Sequence, residues 1–353
     1  MQYSIVFTQT QAFTDNSMAT IKDVAREAGV STATVSRVLN NGEGFSEETR
    51  LAVLTAIEAL DYKPSRVARN LRVQRTQLLG LILSDIQNPF FTSVIQGVEE
   101  VAHQNGYSLI LCNSDENPER EQMYLRIMHQ ENVAGMILAT TVNEGHEAEI
   151  LCGTIPTVAI DRTIDDLSLD TVVVDSVLGA QEAVSHLLRL GHERIGLING
   201  LQHVNTAKER QEGYVRAHHA AAMQIDPDLI RYGNFKQDSG YTLSLELLSM
   251  WNRPTALFVA NNLMTLGALN AIHELQLRIP DDVAIVGFDD MPWSASLNPP
   301  LTAVAQPHYE LGQSAAELLL KHLSGNVGDA TKICLKPHLV VRRSCGAQLT
   351  TSS

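Results

Sequence analysis

The chain has only four cysteines, Cys112, Cys152, Cys334 and Cys345, and they form no CxxC pair and have no histidine at ligand spacing. That excludes a zinc ribbon or disulfide framework visible in sequence, and it fits a reducing, cytoplasmic setting. No apolar run approaches the roughly 18–20 residues that span a bilayer, so neither an integral membrane protein nor a membrane partner is expected. The N-terminus lacks a basic region, and Ser4–Phe7 is too short for the apolar part of a secretion signal. Enzyme signatures are missing as well. There is no GxGxxG after a strand, no GxxxxGK(S/T), no GxSxG and no HExxH, and the twelve histidines are dispersed. Acidic and basic side chains without a nucleophile–base pair imply binding, not turnover. No catalytic residue, metal or cofactor is therefore expected.

Charge is modest, 19% of residues against 44% hydrophobic, which is globular composition. At 353 residues, two or three domains are expected, given about 100–200 residues per domain. The formal charge of −14 is unevenly placed. Between Met18 and Arg75, nine Lys and Arg face seven Asp and Glu, a local +2 that leaves −16 elsewhere. Lys63–Arg75 holds five bases and no acid. A small basic head on an acidic body suggests that only the head meets a polyanion.

Residues 1–17 show no usable period and read as a disordered extension or the product of an upstream start codon, with Met18 the alternative start. Three short helices follow. Ile21–Ala28 ends at Gly29, Ser31 caps a second helix to about Leu39, and Ser46 caps a third whose first turn carries Glu47 and Glu48. Val24, Ala25, Ala28, Val30, Val35, Val38, Val53, Ile57 and Leu60 recur at helical spacing and predict one small core. From Gln77 onward, short apolar runs alternate with amphipathic helices. The runs are Leu78–Ser84, Tyr107–Cys112, Val133–Ala139, Thr157–Ile160, Thr171–Val174, Arg194–Ile198, Ala256–Ala260 and Val283–Gly287. Nearly continuous apolar runs are the mark of parallel strands buried on both faces. There are too many for one small sheet, so two doubly wound sheets with a ligand cleft between them are expected.

Helix, tight turn and helix over Ile21–Leu39 is the helix-turn-helix arrangement, although a small helical bundle with a glycine turn shares it. Thr32, Ala33 and Thr34 occupy the first turn of the second helix, with Arg37 one turn on. Threonine can donate or accept a hydrogen bond, alanine can touch a thymine methyl, and arginine can fork onto guanine. In the basic stretch, Arg66, Arg69 and Arg72 recur on related helical faces suited to phosphates, while Val67, Ala68 and Leu71 form an apolar stripe. One reading is a helix that folds on DNA, with paired Leu71 side chains wedging a minor-groove step. The other is a solvated charged linker.

The run Ile21-Lys-Asp-Val-Ala-Arg-Glu-Ala-Gly-Val-Ser-Thr-Ala-Thr-Val-Ser-Arg-Val-Leu-Asn40, followed by Tyr62-Lys-Pro-Ser65 and Val67-Ala-Arg-Asn-Leu71, resembles the LacI/GalR family of bacterial transcription regulators. Later blocks extend the resemblance from about Met18 to Arg343: Asn88-Pro-Phe-Phe91, Gly191-His192, Arg210 with Gly213-Tyr214, Val283–Asp290 and Pro299-Pro-Leu-Thr302. The resemblance implies a small all-α helix-turn-helix head on an α/β core like the periplasmic binding proteins, built of two doubly wound parallel-sheet lobes. It implies a homodimer on a pseudo-palindromic double-stranded operator, a small-molecule effector, and base-reading roles for Thr32, Ala33 and Arg37. The Thr-Ala pair is similar to the branch that answers to purines and ribose. The expected organisation is an extension at 1–17, a DNA-binding domain at 18–64, a hinge at 65–76, a core at 77–346 and a tail at 347–353. Within the core, one lobe takes about 77–175 and 306–335, the other about 176–305 and 336–346. The tail has no heptads, so a dimer and not a tetramer is expected.

The likeness to sugar-binding proteins implies effector contacts at Asn88, Phe90, Phe91, Asp161, Arg162, Arg210, Phe235, Asn261, Asp289 and Gln306. Most follow a predicted strand, where open α/β sheets bind ligand. Aromatic faces can stack on a sugar ring, and Asp and Arg can fork onto vicinal hydroxyls. Each residue also has a plainer reading: Phe90 and Phe91 as core, Asp161-Arg162 as a local ion pair, Asp289-Asp290 as a helix cap. One departure stands out. Asn261 is followed by Asn262 where the family has Asp, which removes a charge beside the pocket. The expectation is a repressor released by a neutral, pentose-like monosaccharide. The alternative is a corepressor-dependent regulator answering to a purine, a nucleoside or a phosphorylated sugar.

Overall fold

The computed structural model describes residues 19–39, 44–62, 76–141, 153–164, 169–325 and 328–347. The extension at 1–17 and the hinge residues Arg66, Arg69 and Leu71 lie outside them. Two compact units divide the chain, one to Gln74 and one from Arg75.

The first unit is built on α1 (Ile21–Glu27), α2 (Thr32–Leu39) and α3 (Glu47–Ala59). Gly29 makes the α1–α2 turn in the left-handed region, φ +65°, where a side chain would be strained. Ser31 Oγ accepts from Thr34 N at 3.1 Å and Ser46 Oγ from Thr49 N at 3.2 Å, so both hydroxyls cap as the sequence predicts. Val24, Ala25, Val35, Val38, Val53 and Ala56 are buried together, with Ala28, Val30, Ile57 and Leu60 packed around them.

The second unit holds two six-stranded sheets. The first comprises β1 (Leu78–Leu83), β2 (Ser108–Asn113), β3 (Gly135–Leu138), β4 (Thr157–Ile160), β5 (Asp170–Val174) and β11 (Lys332–Leu335), in the order β11-β5-β4-β3-β1-β2 and parallel throughout. The second comprises β6 (Ile195–Asn199), β7 (Ile230–Tyr232), β8 (Ala256–Val259), β9 (Ala284–Phe288), β10 (Thr302–Ala305) and β12 (His338–Val340), in the order β12-β10-β9-β8-β6-β7. Only the β10–β12 pair is antiparallel. The crossover helices are α4 (Pro89–Gln104), α5 (Pro118–Gln130), α6 (Ser176–Arg189), α7 (Asn205–Ala220), α8 (Gln237–Leu248), α9 (Asn262–Glu274) and α10 (His308–Leu323). Every residue of β3, β4, β5, β6, β8 and β9 is buried, which is why these strands read as unbroken apolar runs. The backbone passes between the lobes three times: after β5, after β10 and between β11 and β12.

Helices α4 and α10 cover one face of the first sheet, with Phe90, Phe91, Val94 and Val98 packed against Leu311, Ala315 and Leu319 in one core. Their backbones nearly touch. A Cβ on Gly97 would stand 2.2 Å from the Tyr309 carbonyl oxygen, and one on Gly312 would stand 2.1 Å from that of Val94. Neither obstacle is a flexible side chain that could turn aside, so Gly97→Ala must push the helices apart. The expected cost is about 1–3 kcal/mol, read as a lower urea midpoint with an unchanged slope.

Candidate functional site

Ligands of open α/β sheets bind beyond the carboxyl ends of the strands, and the two sheets turn those ends towards one cleft. Ser84 and Asp85 follow β1, Glu116 follows β2, Asp161 and Arg162 follow β4, Asn261 follows β8, Asp289 follows β9 and Gln306 follows β10. Thr206 and Arg210 lie in the first turns of α7. These residues, with Asn88, Phe90, Phe91 and Phe235, line a single cavity of about 30 Å³. The structure thus brings all ten residues expected in the cleft to one place. Ser84, Asp85, Glu116 and Thr206 join them without having been singled out. The strand-end rule could have found Ser84 and Asp85. Nothing local in the sequence marks Glu116.

Several of the ten are already engaged with the protein. Asn88 caps α4, its Oδ1 accepting from Phe90 N at 3.0 Å, and the same oxygen accepts from Asn262 Nδ2 at 2.8 Å across the cleft. An aspartate at 262 could not donate that bond, so Asn262 supplies a donor as well as removing a charge. Asn261 caps α9 through Oδ1 and gives Nδ2 to the Phe235 carbonyl at 2.9 Å. Its amide thereby holds Phe235, whose backbone is left-handed at φ +63° and whose ring fills the space beside Gly200. Phe90 and Phe91 are both core and cavity wall.

The charges are buried and paired unequally. Arg162 forks onto Glu116, at 2.8 Å and 2.6 Å, and gives a further bond to the Thr140 carbonyl at 3.0 Å. Its Nε stands 3.6 Å from Asp161 Oδ2. Burial works against the Arg162 charge, but the Glu116 carboxylate outweighs it and raises the pKa. The local pair foreseen between Asp161 and Arg162 is therefore the weaker contact. Arg210 donates to the Ala260 carbonyl and stacks over Phe288 at 4.0 Å. Burial lowers its pKa, opposed by the charges of Asp289 and Asp161. Asp289 accepts from Gln306 Nε2 and, at 3.4 Å, from Asn262 N. Asp290 forks with Arg342 at 2.7 and 2.8 Å, so neither aspartate serves as a simple helix cap. Burial pushes the Asp161 carboxyl up, against the pull of Arg162 and Arg210. Ser84 Oγ, Arg162 Nε and Arg210 Nε are buried without a hydrogen-bond partner among the described residues. A ligand with hydroxyl groups could accept from these nitrogens and donate to the carboxylates in one orientation.

In the first unit, Thr32, Ala33 and Arg37 are exposed on α2, and Thr34 is half-buried through its bond to Ser31. Val35 and Val38 anchor the opposite face of the helix. That leaves the residues suited to base edges on the outer side. Among the described residues, no group of three or more His, Cys, Asp and Glu is placed to hold a metal, and no helix is long and apolar enough to cross a membrane.

Residues 20–65 match the family "Bacterial regulatory proteins, lacI family", and residues 184–345 match "Periplasmic binding protein-like domain". The HTH-type transcriptional repressor PurR of Haemophilus influenzae (strain PittEE) is 38% identical over 339 residues, 93% of this chain and 98% of that protein. A lac repressor dimer solved with operator and the anti-inducer ONPF is similar with a TM-score of 0.82 and 30% identity, covering 93% of this chain and 99% of that one. The transcriptional regulator CelR, solved as a cellobiose complex, is 33% identical with a TM-score of 0.69, covering 92% of this chain and 99% of that one.

Asp161→Asn is expected to raise stability at neutral pH. The folded-state pKa of Asp161 lies above its unfolded value, so its penalty is full above the folded pKa and absent below about 4, the ordinary carboxyl value. The gain in melting temperature should shrink as pH falls through that range, and thermal melts at several pH values would show it.

Proposed function

The chain belongs to the lacI family of bacterial regulatory proteins, and from that premise we propose that it is a dimeric cytoplasmic repressor whose hold on a pseudo-palindromic operator is released by a pentose-like monosaccharide. Membership itself makes it a DNA-binding transcriptional repressor and not an enzyme. The observation that carries the proposal is the set Asp161, Arg210 and Asp289 around one cavity, with Arg162 Nε and Arg210 Nε lacking hydrogen-bond partners among the described residues. A sugar hydroxyl both donates and accepts, so vicinal hydroxyls can satisfy carboxylates and guanidinium nitrogens together. A ligand lacking one hydroxyl leaves a buried polar group unpaired, which gives selectivity. The CelR–cellobiose complex shows a similar protein holding a sugar. An anionic ligand fits poorly, because Arg162 is committed to Glu116 and Asp85, Asp161 and Asp289 also line the wall.

On this reading, Thr32, Ala33, Thr34 and Arg37 read bases in the major groove, while Arg66, Arg69 and Leu71 hold phosphates and wedge the minor groove. Sugar binding closes the cleft and disfavours the DNA-competent arrangement, which requires a higher affinity for the closed state. The second reading, a corepressor such as a purine, is favoured by one feature. The rings of Phe90, Phe91 and Phe235 on one cavity could enclose a planar base.

Calorimetric titration with ribose, other pentoses, hexoses and a purine base separates the two readings. The expected result is saturable heat with one pentose, abolished in Arg210→Ala, and none with the base. Heat with the base alone overturns the sugar assignment. Using an operator selected from random duplexes, Arg37→Ala should weaken binding by about 1–3 kcal/mol and relax preference at one base position, while leaving the titration unchanged.

A further inference from the structure

Lys236 belongs to the second lobe. It stands at the start of α8, directly after Phe235, and its backbone N–H donates to Asn234 Oδ1 at 3.1 Å. Its Nζ reaches across the cleft to two carboxylates of the first lobe, Asp85 Oδ2 at 2.8 Å and Asp115 Oδ1 at 2.8 Å. Asp85 lies at the end of β1 and Asp115 just beyond β2, so the amine ties together the ends of two neighbouring strands. The side chain of Asp85 is only 6% exposed and lines the cavity. Asp115 is more open and also meets Arg120 at 3.5 Å. Its pKa is lowered, chiefly by the bond from Lys236. Backbone on both sides is left-handed, at Phe235 on one and at Asp115 and Glu116 on the other, so local geometry fixes where the charges point. Among the described residues, Asn262 to Asn88 and Asn205 to Thr163 also bond across the cleft, between uncharged groups, and the Arg162 guanidinium lies 5.9 Å over the Phe235 ring.

We propose that Lys236 is an electrostatic clasp that sets how readily the cleft opens, and with it the rate at which any effector enters and leaves. Parting the lobes separates one amine from two carboxylates at once. It also leaves Asp85, a buried acid at the cavity wall, without its counter-ion. The same motion lifts Phe235, the adjacent residue, off the cavity. The clasp therefore couples opening of the mouth to movement of an aromatic wall. Because Lys236 and Asp115 are partly exposed, the contribution must fall with ionic strength. The proposal does not rest on the identity of the effector, so its test needs none.

The test is hydrogen–deuterium exchange on the purified full-length protein without added sugar, at low salt and at high salt. The segments to follow are 84–91 and 233–241. Replacing the amine by an uncharged chain of similar length, Lys236→Met, should speed exchange there about three- to tenfold at low salt and remove its salt dependence. Lys236→Arg, which keeps the cation, should restore protection. Asp115→Asn, on the opposite lobe, should move exchange in the same direction by a smaller factor. Exchange unchanged in Lys236→Met overturns the proposal. So does equal loss of protection in Lys236→Arg, which would mark the residue as packing. Failure of every sugar in calorimetry would leave this result untouched.

Discussion

Burying several charges in one cleft is the constraint on which the rest of the core depends. A guanidinium or carboxylate taken from water must be paired or hydrogen-bonded nearly completely, or the fold loses several kcal/mol per group. Each lobe meets part of that demand alone. In the first, Arg162 is locked on Glu116 and the Thr140 carbonyl. In the second, Arg210 rests on Phe288 and the Ala260 carbonyl, while Asn262, together with Gln306 at the crossover between the lobes, serves Asp289. What the lobes leave undone, among the described residues, is the Nε atoms of Arg162 and Arg210, which have no hydrogen-bond partner beside the cavity. The site is the part of the electrostatic demand that neither lobe satisfies by itself. This explains why its residues come from strand ends. Only there do the buried sheets present side chains to a common gap without breaking their own ladders.

The fold was legible wherever burial was complete. Strands β3, β4 and β9 are apolar on both faces, and their residues announce that without any knowledge of neighbours. Strands β7, β10, β11 and β12 were not foreseen. They run three or four residues each, and β7, β11 and β12 are partly exposed, so neither length nor hydrophobicity marks them. The helix-turn-helix was legible because its determinants are local: a cap at Ser31, a glycine turn and a valine stripe. The cleft was legible in its membership but not in its wiring. Glu116 matters through Arg162, 46 residues away, and Asp85 through Lys236, 151 residues away, and no spacing rule connects such pairs. Asn262 shows the same limit. Its identity suggests a lost charge, whereas its geometry shows a donated bond to Asn88.

Charge also separates the two tasks of the chain. The segment 18–75 carries +2 and the remainder −16, so long-range attraction to DNA can come only from the head. An acidic core repels the duplex. The division has a cost for regulation. A ligand bound in the core is in a separate unit from the basic head, so it has to act on DNA through the arrangement of the lobes. It must act by changing how often the lobes sit together.

That requirement limits what a ligand can achieve. The lobes already hold one another through the Lys236 ion pairs and the Asn262–Asn88 bond. A ligand that only fills the cavity adds nothing to this balance, however tightly it binds, because equal affinity for both arrangements shifts neither. Leverage comes from groups that meet both lobes at once. Asp161 and Arg162 belong to one lobe, Arg210 and Asp289 to the other, and all four line the same cavity. A ligand that meets both sets does so only when the lobes come together, and loses one set when they part. Fit to the cleft and the capacity to shift the lobes therefore have the same origin. A ligand that satisfies the buried charges of one lobe alone would bind without signalling.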